Sequence, residues 1–145
     1  MSSEVNLDRL RDLAGHLRDA VRQLQDVARV SRETFVADRR MVNSAKYLLI
    51  VATEAALDIC NHLAARRGGR SPADYADCIT VLAEIGVIDD GLKRRLVKMA
   101  RFRNLLVHLY WRVDDGEVHR VIQDDLGDFE QYLQSVGRFL KTDLG

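Results

Sequence analysis

Residues 101–112 read RFRNLLVHLYWR and hold three arginines, one histidine, one tyrosine and the only tryptophan of the chain. They close an acid-free segment that runs from Gly91 to Arg112 and is the longest of its kind in the sequence. Seven cationic side chains lie in that segment, while the 145-residue chain has a formal net charge of zero. Any attraction to a polyanion must therefore come from this local patch.

Length and composition favour one helical domain over residues 1–145. The chain has a single proline, a charged fraction of 30% and few strand-like runs, which is typical of an all-α protein. The N-terminus lacks a cationic region followed by an apolar run, so no secretory signal is predicted. No stretch approaches the roughly 20 uninterrupted apolar residues of a membrane span. We therefore expect a cytoplasmic protein without membrane contact.

Possible metal ligands are sparse. Cys60 and Cys78 are 18 positions apart in apolar helical contexts and form no CxxC pair, so both are predicted to be small buried residues. Glu54, Asp58 and His62 follow one another at helical spacing. A surface ion pair explains them, and a metal site is the alternative, but it lacks a further strong ligand at a recognisable spacing. We expect no metal.

Apolar periodicity predicts a first helix from Asn6 to Val30 with a narrow seam suited to a bundle. A second helix is predicted from a Ser31 cap to Arg67, with a broad, alanine-rich apolar face that favours a central position. Gly68 and the glycine after it are expected to stop this helix in the left-handed conformation. The seam of the first helix comprises Leu10, Ala14, Leu17, Val21, Leu24 and Ala28.

The second half of the chain predicts a short helix and two long ones. Ser71 and Pro72 should start the short helix, which Gly86 ends. Asp89 or Asp90 should cap the helix that carries the cations. A turn at 114–116 precedes a last amphipathic helix over residues 118–140. The expected fold is an antiparallel four-helix bundle with one additional short helix.

The basic helix contains one cation in an unusual place. At about 100° per residue, Arg103 lies in the middle of its apolar stripe. A buried guanidinium is costly, so Arg103 must pair with an acid, for which Asp58 is a candidate, or line a cleft. Arg101, Asn104 and His108 share a second face. Arg103 and His108 would be about 140° apart, so they can share a site only if the helix distorts or a second subunit contributes.

These residue types fit metal-independent RNA cleavage, in which the 2′-hydroxyl attacks the adjacent phosphate. Histidine can move the proton, and arginine can hold the phosphate through two hydrogen bonds. Asn104 can orient the histidine or a phosphate oxygen, and Tyr110 and Trp111 could stack unpaired bases. The alternative from the residues alone is a basic helix with a histidine at the edge of the core.

The octet from Arg103 to Tyr110 reads RNLLVHLY and fits Arg-x4-His-x-Tyr. It resembles the signature of the HepT-like toxins, a branch of the HEPN superfamily. Residues 56–62 (ALDICNH) resemble the central helix of that family, and residues 82–88 followed by a basic helix keep its order. The closing amphipathic helix with Asp128 and Phe129 also fits, so the likeness covers roughly residues 5 to 140.

The resemblance implies a HEPN-like bundle that forms a homodimer, with both motifs near one cleft. It implies a metal-independent RNA endonuclease without a cofactor, acting as the toxin of a type II/VII-like toxin–antitoxin pair. The implied partner is an MntA-like minimal nucleotidyltransferase antitoxin, which silences the toxin by transferring nucleotide from ATP to the motif tyrosine. On this chain, Arg103 and His108 would be catalytic, Asn104 would support them and Tyr110 would be AMPylated, with Asp58 in a supporting role.

Three alternatives stay open. Arg101 gives a second match, Arg-x6-His, although Arg103 is preferred because it directly precedes Asn104. The chain could instead be a non-catalytic HEPN module that binds a nucleotidyltransferase and possibly RNA. A purely structural helical adaptor would leave the apolar position of Arg103 unexplained.

Overall fold

The structure, a computed structural model, describes residues 4–145, and every regular element in that range is helical. The predicted all-α class is therefore confirmed. Seven α-helices and one 3-10 turn follow one another: α1 (Leu7–Val27), α2 (Arg32–Ala37), α3 (Arg39–Arg67), α4 (Tyr75–Glu84), α5 (Asp90–His108), the 3-10 turn (Tyr110–Arg112), α6 (Asp115–Asp124) and α7 (Gly127–Leu140).

Helix α3 is the centre of the bundle and contacts α1, α4, α5 and α6. Ala45 and Ala52 of this helix are fully buried and allow the neighbouring helices to approach closely. By length and composition α3 could cross a membrane, with a mean hydropathy of 1.4 over its most apolar window, but 61% of that window is buried inside the bundle. Burial of apolar surface around α3 is the main source of stability.

The predicted second helix is two helices, because the chain breaks at Asp38. Ser31 caps the short α2 as predicted, by accepting a hydrogen bond from the Thr34 amide. The Asp38 carboxylate accepts from the Arg40 and Met41 amides and so starts α3 anew. The break places the fully buried Phe35 on a separate helix, 5.3 Å from the ring of His119.

Gly68 ends α3, but not in the left-handed conformation that was predicted. Its φ is −74°, and a Cβ there would collide with the carbonyl of Ala64, so close backbone approach explains the glycine. The predicted start of the next helix at Ser71 and Pro72 is also wrong. Helix α4 begins only at Tyr75, because the Asp74 side chain caps it by accepting from the Asp77 amide.

The last predicted helix is split into α6 and α7 at residues 125–126. Asp125 closes α6 with a backbone bond to Val121, and Gly127, a poor helix former, starts α7. The split lets α6 pack against α2 and α3 while α7 packs against α5. Four long helices and one short helix were expected, and the described residues form seven. The four longest are α1, α3, α5 and α7, and the shorter α2, α4 and α6 lie between them in the sequence.

Candidate functional site

Arg103 lies in the last third of α5, and two side chains hold its guanidinium. Its Nη2 donates to Glu54 Oε1 at 2.7 Å, and its Nη1 donates to Asn104 Oδ1 at 3.0 Å. The guanidinium also lies 5.5 Å from the ring centroid of Tyr75. The side chain is only 15% exposed, and its buried Nε has no hydrogen-bond partner among residues 4–145. An unsatisfied buried donor is rare and requires an explanation, and a catalytic role is one such explanation.

Glu54, and not the predicted Asp58, is therefore the acidic partner of Arg103. Glu54 and Asp58 are one turn apart on α3, and Glu54 is the one that contacts α5. Asp58 is exposed and has no hydrogen-bond or ion-pair partner in the described part of the chain. His62 is not paired with it, since its Nε2 accepts from the Asn6 amide at 3.0 Å. Burial, then the charges of neighbouring arginines, lowers the pKa of His62.

His108 is exposed and is the last residue of α5. Helix α5 runs without a break from Arg103 to His108, so their angular separation of about 140° remains. Asn104 accepts a hydrogen bond from Arg103, and among residues 4–145 none joins it to His108. Arg101 is exposed on the same face as His108 and has no partner among the described residues. One chain thus offers two half-sites: a fixed guanidinium and an imidazole that faces solvent.

Tyr110 begins the 3-10 turn that follows α5, and α3 holds it from two sides. Its hydroxyl donates to Asn43 Oδ1 at 2.7 Å. Lys46 Nζ lies 4.3 Å from the centroid of its ring and donates to its carbonyl oxygen at 3.0 Å. Burial raises the pKa of the Tyr110 phenol; the charge of Arg39 lowers it and that of Asp115 raises it, each to a smaller extent.

Lys46 is 2% exposed, which is unusual for a lysine. Besides Tyr110, its ammonium group contacts Asp115 Oδ1 at 3.4 Å. The other oxygen of this carboxylate accepts from Arg39 Nη2 at 2.8 Å. A buried charge needs partners, and all those of Lys46 belong to the turn that carries Tyr110 or to the start of α6.

The surface around the motif is basic and partly apolar. Trp111 is 76% exposed and Tyr47 is 65% exposed, and Leu105 and Val107 are also open to solvent. Of the seven cations of the acid-free segment, four have no acidic partner within residues 4–145, namely Arg94, Lys98, Arg101 and Arg112. The others are paired: Lys93 with Asp90, Arg95 with Asp128 and Arg103 with Glu54.

Asn43 and Lys46 escaped the sequence-based prediction, although one of them left a signal. Lys46 is a single cation among apolar residues, and helical spacing places it on the same face as Leu49 and Thr53, both buried. A lysine at such a position is expected to have a specific partner. Asn43 left no signal, because an exposed asparagine on a helix is ordinary.

Comparison with known proteins identifies the family of this chain. The sequence profile of the ribonuclease HepT-like family matches residues 17–136. The mRNA nuclease HepT of Shewanella oneidensis is 35% identical over 83 residues, which cover 57% of this chain and 62% of that protein. The tRNA nuclease HepT of Aphanizomenon flos-aquae is 22% identical over 132 residues, covering 90% of this chain and 87% of that protein.

Solved structures share the fold over nearly the whole chain. The tri-AMPylated HEPN toxin of Shewanella oneidensis, in complex with its MNT antitoxin, superposes with a TM-score of 0.84 at 27% identity, covering 90% of this chain and 98% of that chain. YutE of Bacillus subtilis superposes with a TM-score of 0.82 at 18% identity, covering 94% of this chain and 92% of that chain, which supports the fold alone. Because the family profile spans most of the sequence and the structures agree with it, this chain belongs to the ribonuclease HepT-like family, a branch of the HEPN superfamily.

Proposed function

We propose that this chain is an RNA endonuclease toxin that acts as a homodimer and is silenced by nucleotide transfer to Tyr110. The observation that carries the proposal is Arg103, a mostly buried guanidinium fixed by Glu54 and Asn104 within the Arg-x4-His-x-Tyr motif. A bundle that needed Arg103 only for packing would gain nothing from its unsatisfied Nε. Family membership and the nuclease relatives support the same reading.

RNA supplies its own nucleophile in the proposed reaction. The 2′-oxygen attacks the adjacent phosphorus, the bond from phosphorus to the 5′-oxygen breaks, and a 2′,3′-cyclic phosphate remains. A proton leaves the 2′-oxygen and one is delivered to the departing 5′-oxygen, and His108 is the group that moves it. Arg103 holds the phosphate and stabilises its added charge. Asn104 keeps the guanidinium of Arg103 in place.

A second copy of the chain resolves the separation of Arg103 and His108. Because α5 is continuous between them, one chain turns the two side chains to different faces. The exposed Leu105 and Val107 lie on α5 between Arg103 and His108, and apolar side chains in such a place suit a contact between subunits. In the dimer, Arg103 of one subunit and His108 of the other would line a shared cleft.

The proposed partner is a nucleotidyltransferase antitoxin of the MntA type, in the cytoplasm. Support comes from solved relatives that are toxin–antitoxin complexes, one of them carrying a tri-AMPylated toxin. Tyr110 is the acceptor that we propose, since it follows His108 in the motif and its hydroxyl lies near the surface. The four unpaired cations of the acid-free segment, including Arg94 and Lys98, would attract RNA.

Single substitutions test the catalytic roles. We expect Arg103→Ala and His108→Ala each to lower RNA cleavage in the presence of EDTA by about 100-fold or more and to relieve growth inhibition. Arg29→Ala and His16→Ala, which replace an exposed arginine just after α1 and an exposed histidine within it, are the matched controls. Toxicity that persists in both motif variants would make the assignment wrong. RNA binding by the wild type without any cleavage would favour the non-catalytic module.

Mixing the two inactive variants tests the shared cleft. In a hybrid dimer of Arg103→Ala and His108→Ala chains, one cleft lacks both groups and the other retains both. Random pairing should therefore restore about a quarter of the wild-type cleavage activity, since half of the dimers are hybrids with one intact cleft. A mixture that stays as inactive as its components, although mass spectrometry detects the hybrid, would show that each site belongs to one chain.

A further inference from the structure

We propose that Asn43 and Lys46 of α3 are positioning residues for Tyr110, which hold its ring and hydroxyl in the orientation that nucleotide transfer requires. The inference rests on the proposed function, in which Tyr110 is the acceptor. Neither residue belongs to the Arg-x4-His-x-Tyr motif. Both lie more than 60 positions before Tyr110 in the sequence and meet it only in the folded bundle.

Lys46 fixes the turn that carries the tyrosine. Its ammonium group stands 4.3 Å from the ring centroid and bonds the carbonyl oxygen of the same residue at 3.0 Å. An ammonium against an aromatic face is attracted by the ring, more strongly where water is excluded. Lys46 Nζ contacts both the ring and the backbone of Tyr110. If the tyrosine side chain turned away from α3, the buried ammonium group would lose a partner.

Asp115 locks the lysine in turn. Its carboxylate lies between Lys46 Nζ at 3.4 Å and Arg39 Nη2 at 2.8 Å, and it begins helix α6. The turn of Tyr110 is thereby clamped between α3 and α6. A lysine that served only to satisfy Asp115 would not need to lie over the ring, because Arg39 already neutralises that carboxylate.

Asn43 sets the direction of the hydroxyl. The Tyr110 O–H donates to Asn43 Oδ1 at 2.7 Å, so its proton is held towards α3 and the oxygen keeps its lone pairs for another partner. In the transfer, that oxygen bonds the α-phosphorus of ATP, the bond from this phosphorus to the bridging oxygen breaks, and pyrophosphate leaves. A carboxamide is not a base, so the phenol proton passes to a basic group of the transferase. Asn43 orients the acceptor and does not activate it.

Positioning residues should change turnover more than recognition. With purified cognate nucleotidyltransferase and ATP, we expect Asn43→Ala and Lys46→Met each to lower kcat for AMP addition by about tenfold or more, with KM for the toxin within about twofold of the wild type. Asn43→Asp keeps an oxygen acceptor and should recover at least half of the rate. Ser44→Ala, at an exposed neighbouring position on α3, is the control and should leave the rate unchanged.

Trp111 reports on the same turn without a partner protein. It is the only tryptophan and follows Tyr110 directly, so a looser turn in Lys46→Met should lower the fluorescence anisotropy of Trp111. The Arg112 amide, which donates to the Leu109 carbonyl at 2.8 Å, should also exchange its hydrogen faster. Asn43 is exposed, so Asn43→Ala tests the idea even if Lys46→Met does not fold. Wild-type kcat in Asn43→Ala and in folded Lys46→Met overturns the inference while leaving the proposed function intact. A wild type that receives no AMP on Tyr110 overturns both.

Discussion

Arg103 Nη2 and Glu54 Oε1 are joined by a 2.7 Å ion pair between α5 and α3. The arginine is largely buried, with 15% of its side chain exposed, while 49% of the glutamate side chain is exposed. The pair therefore anchors one end of the guanidinium at the surface of the bundle, and Asn104 Oδ1 accepts a hydrogen bond from the other end, Nη1. Glu54 acts on the phosphate only through Arg103 and is a positioning residue.

Glu54→Gln should weaken the ion pair with Arg103, because glutamine keeps the size of the side chain but removes its negative charge. An exposed ion pair contributes up to about 1 kcal/mol, so we expect kcat/KM for RNA cleavage to fall by about fivefold. Asp58→Asn, one turn along the same helix and without a partner among the described residues, is the matched comparison and should have the smaller effect. Equal loss in both variants would mean that Glu54 acts only through the general charge of α3.

Trp111→Ala should reduce binding to single-stranded RNA while leaving the fold unchanged. Stacking of a base on an aromatic side chain is worth about 1–3 kcal/mol, which corresponds to a loss of affinity of at least about fivefold. The side chain is 76% exposed, so the melting temperature should not move. Fluorescence anisotropy of labelled RNA measures the effect, with Tyr47→Ala, an exposed aromatic on α3, for comparison. Unchanged affinity would show that Trp111 does not stack on the RNA.

Gly86 and Gly15 should respond to alanine with opposite signs. Gly86 has φ of +84° after the end of α4, so a Cβ costs about 1–2 kcal/mol in this left-handed conformation although no atom lies within 4 Å. Gly15 lies inside α1 with the same open surroundings, and alanine there should stabilise by about 0.5–1 kcal/mol. Urea unfolding measures both, and destabilisation by Gly15→Ala would contradict the prediction.

Asp77 should contribute to stability in a way that depends on pH. Hydrogen bonds from Arg70 and from the Ala73 amide lower the pKa of its carboxyl from 3.8 to about 2. A lowered folded-state pKa gives stability that is present above pH 3.8 and is lost as the pH falls towards 2. Asp77→Asn should therefore lower the melting temperature at pH 5, and the difference should shrink at pH 2. Asp58→Asn should give no such difference, and a gap for Asp77→Asn that persists at pH 2 would count against the ion pair.

Much of the fold could be predicted from the sequence because periodicity and caps are local signals. The buried face of α3, the Asp89 cap of α5 and the glycine stop at Gly86 are all as expected. The breaks at Asp38 and Asp125 were missed, because an apolar pattern continues across each of them and only tertiary packing separates the helices. The predicted helix start at Ser71 and Pro72 was wrong for a related reason. Arg70 binds Asp77 and Glu84 of α4, and local sequence signals do not reveal these contacts.

The candidate site could be predicted only along α5. Helical geometry located Arg103 in an apolar stripe and predicted that it either pairs with an acid, with Asp58 of α3 as a candidate, or lines a cleft. It could not choose between Glu54 and Asp58, because the rotation of α3 against α5 depends on packing across the whole bundle. The roles of Arg103, Asn104, His108 and Tyr110, and the supporting roles of Asp58 and Arg101, stay predictions for the experiments described above.

Helix α3 holds both ends of the motif, since Glu54 binds Arg103 and Asn43 binds Tyr110. Asn43 and Glu54 are eleven positions apart, which is about three helical turns and a rise of about 16 Å on one face. The spacing of Asn43 and Glu54 on α3 therefore has to match the spacing of Tyr110 and Arg103. One residue inserted between these anchors would rotate one of them by about 100°, so two stretches that are distant in sequence can change length only together.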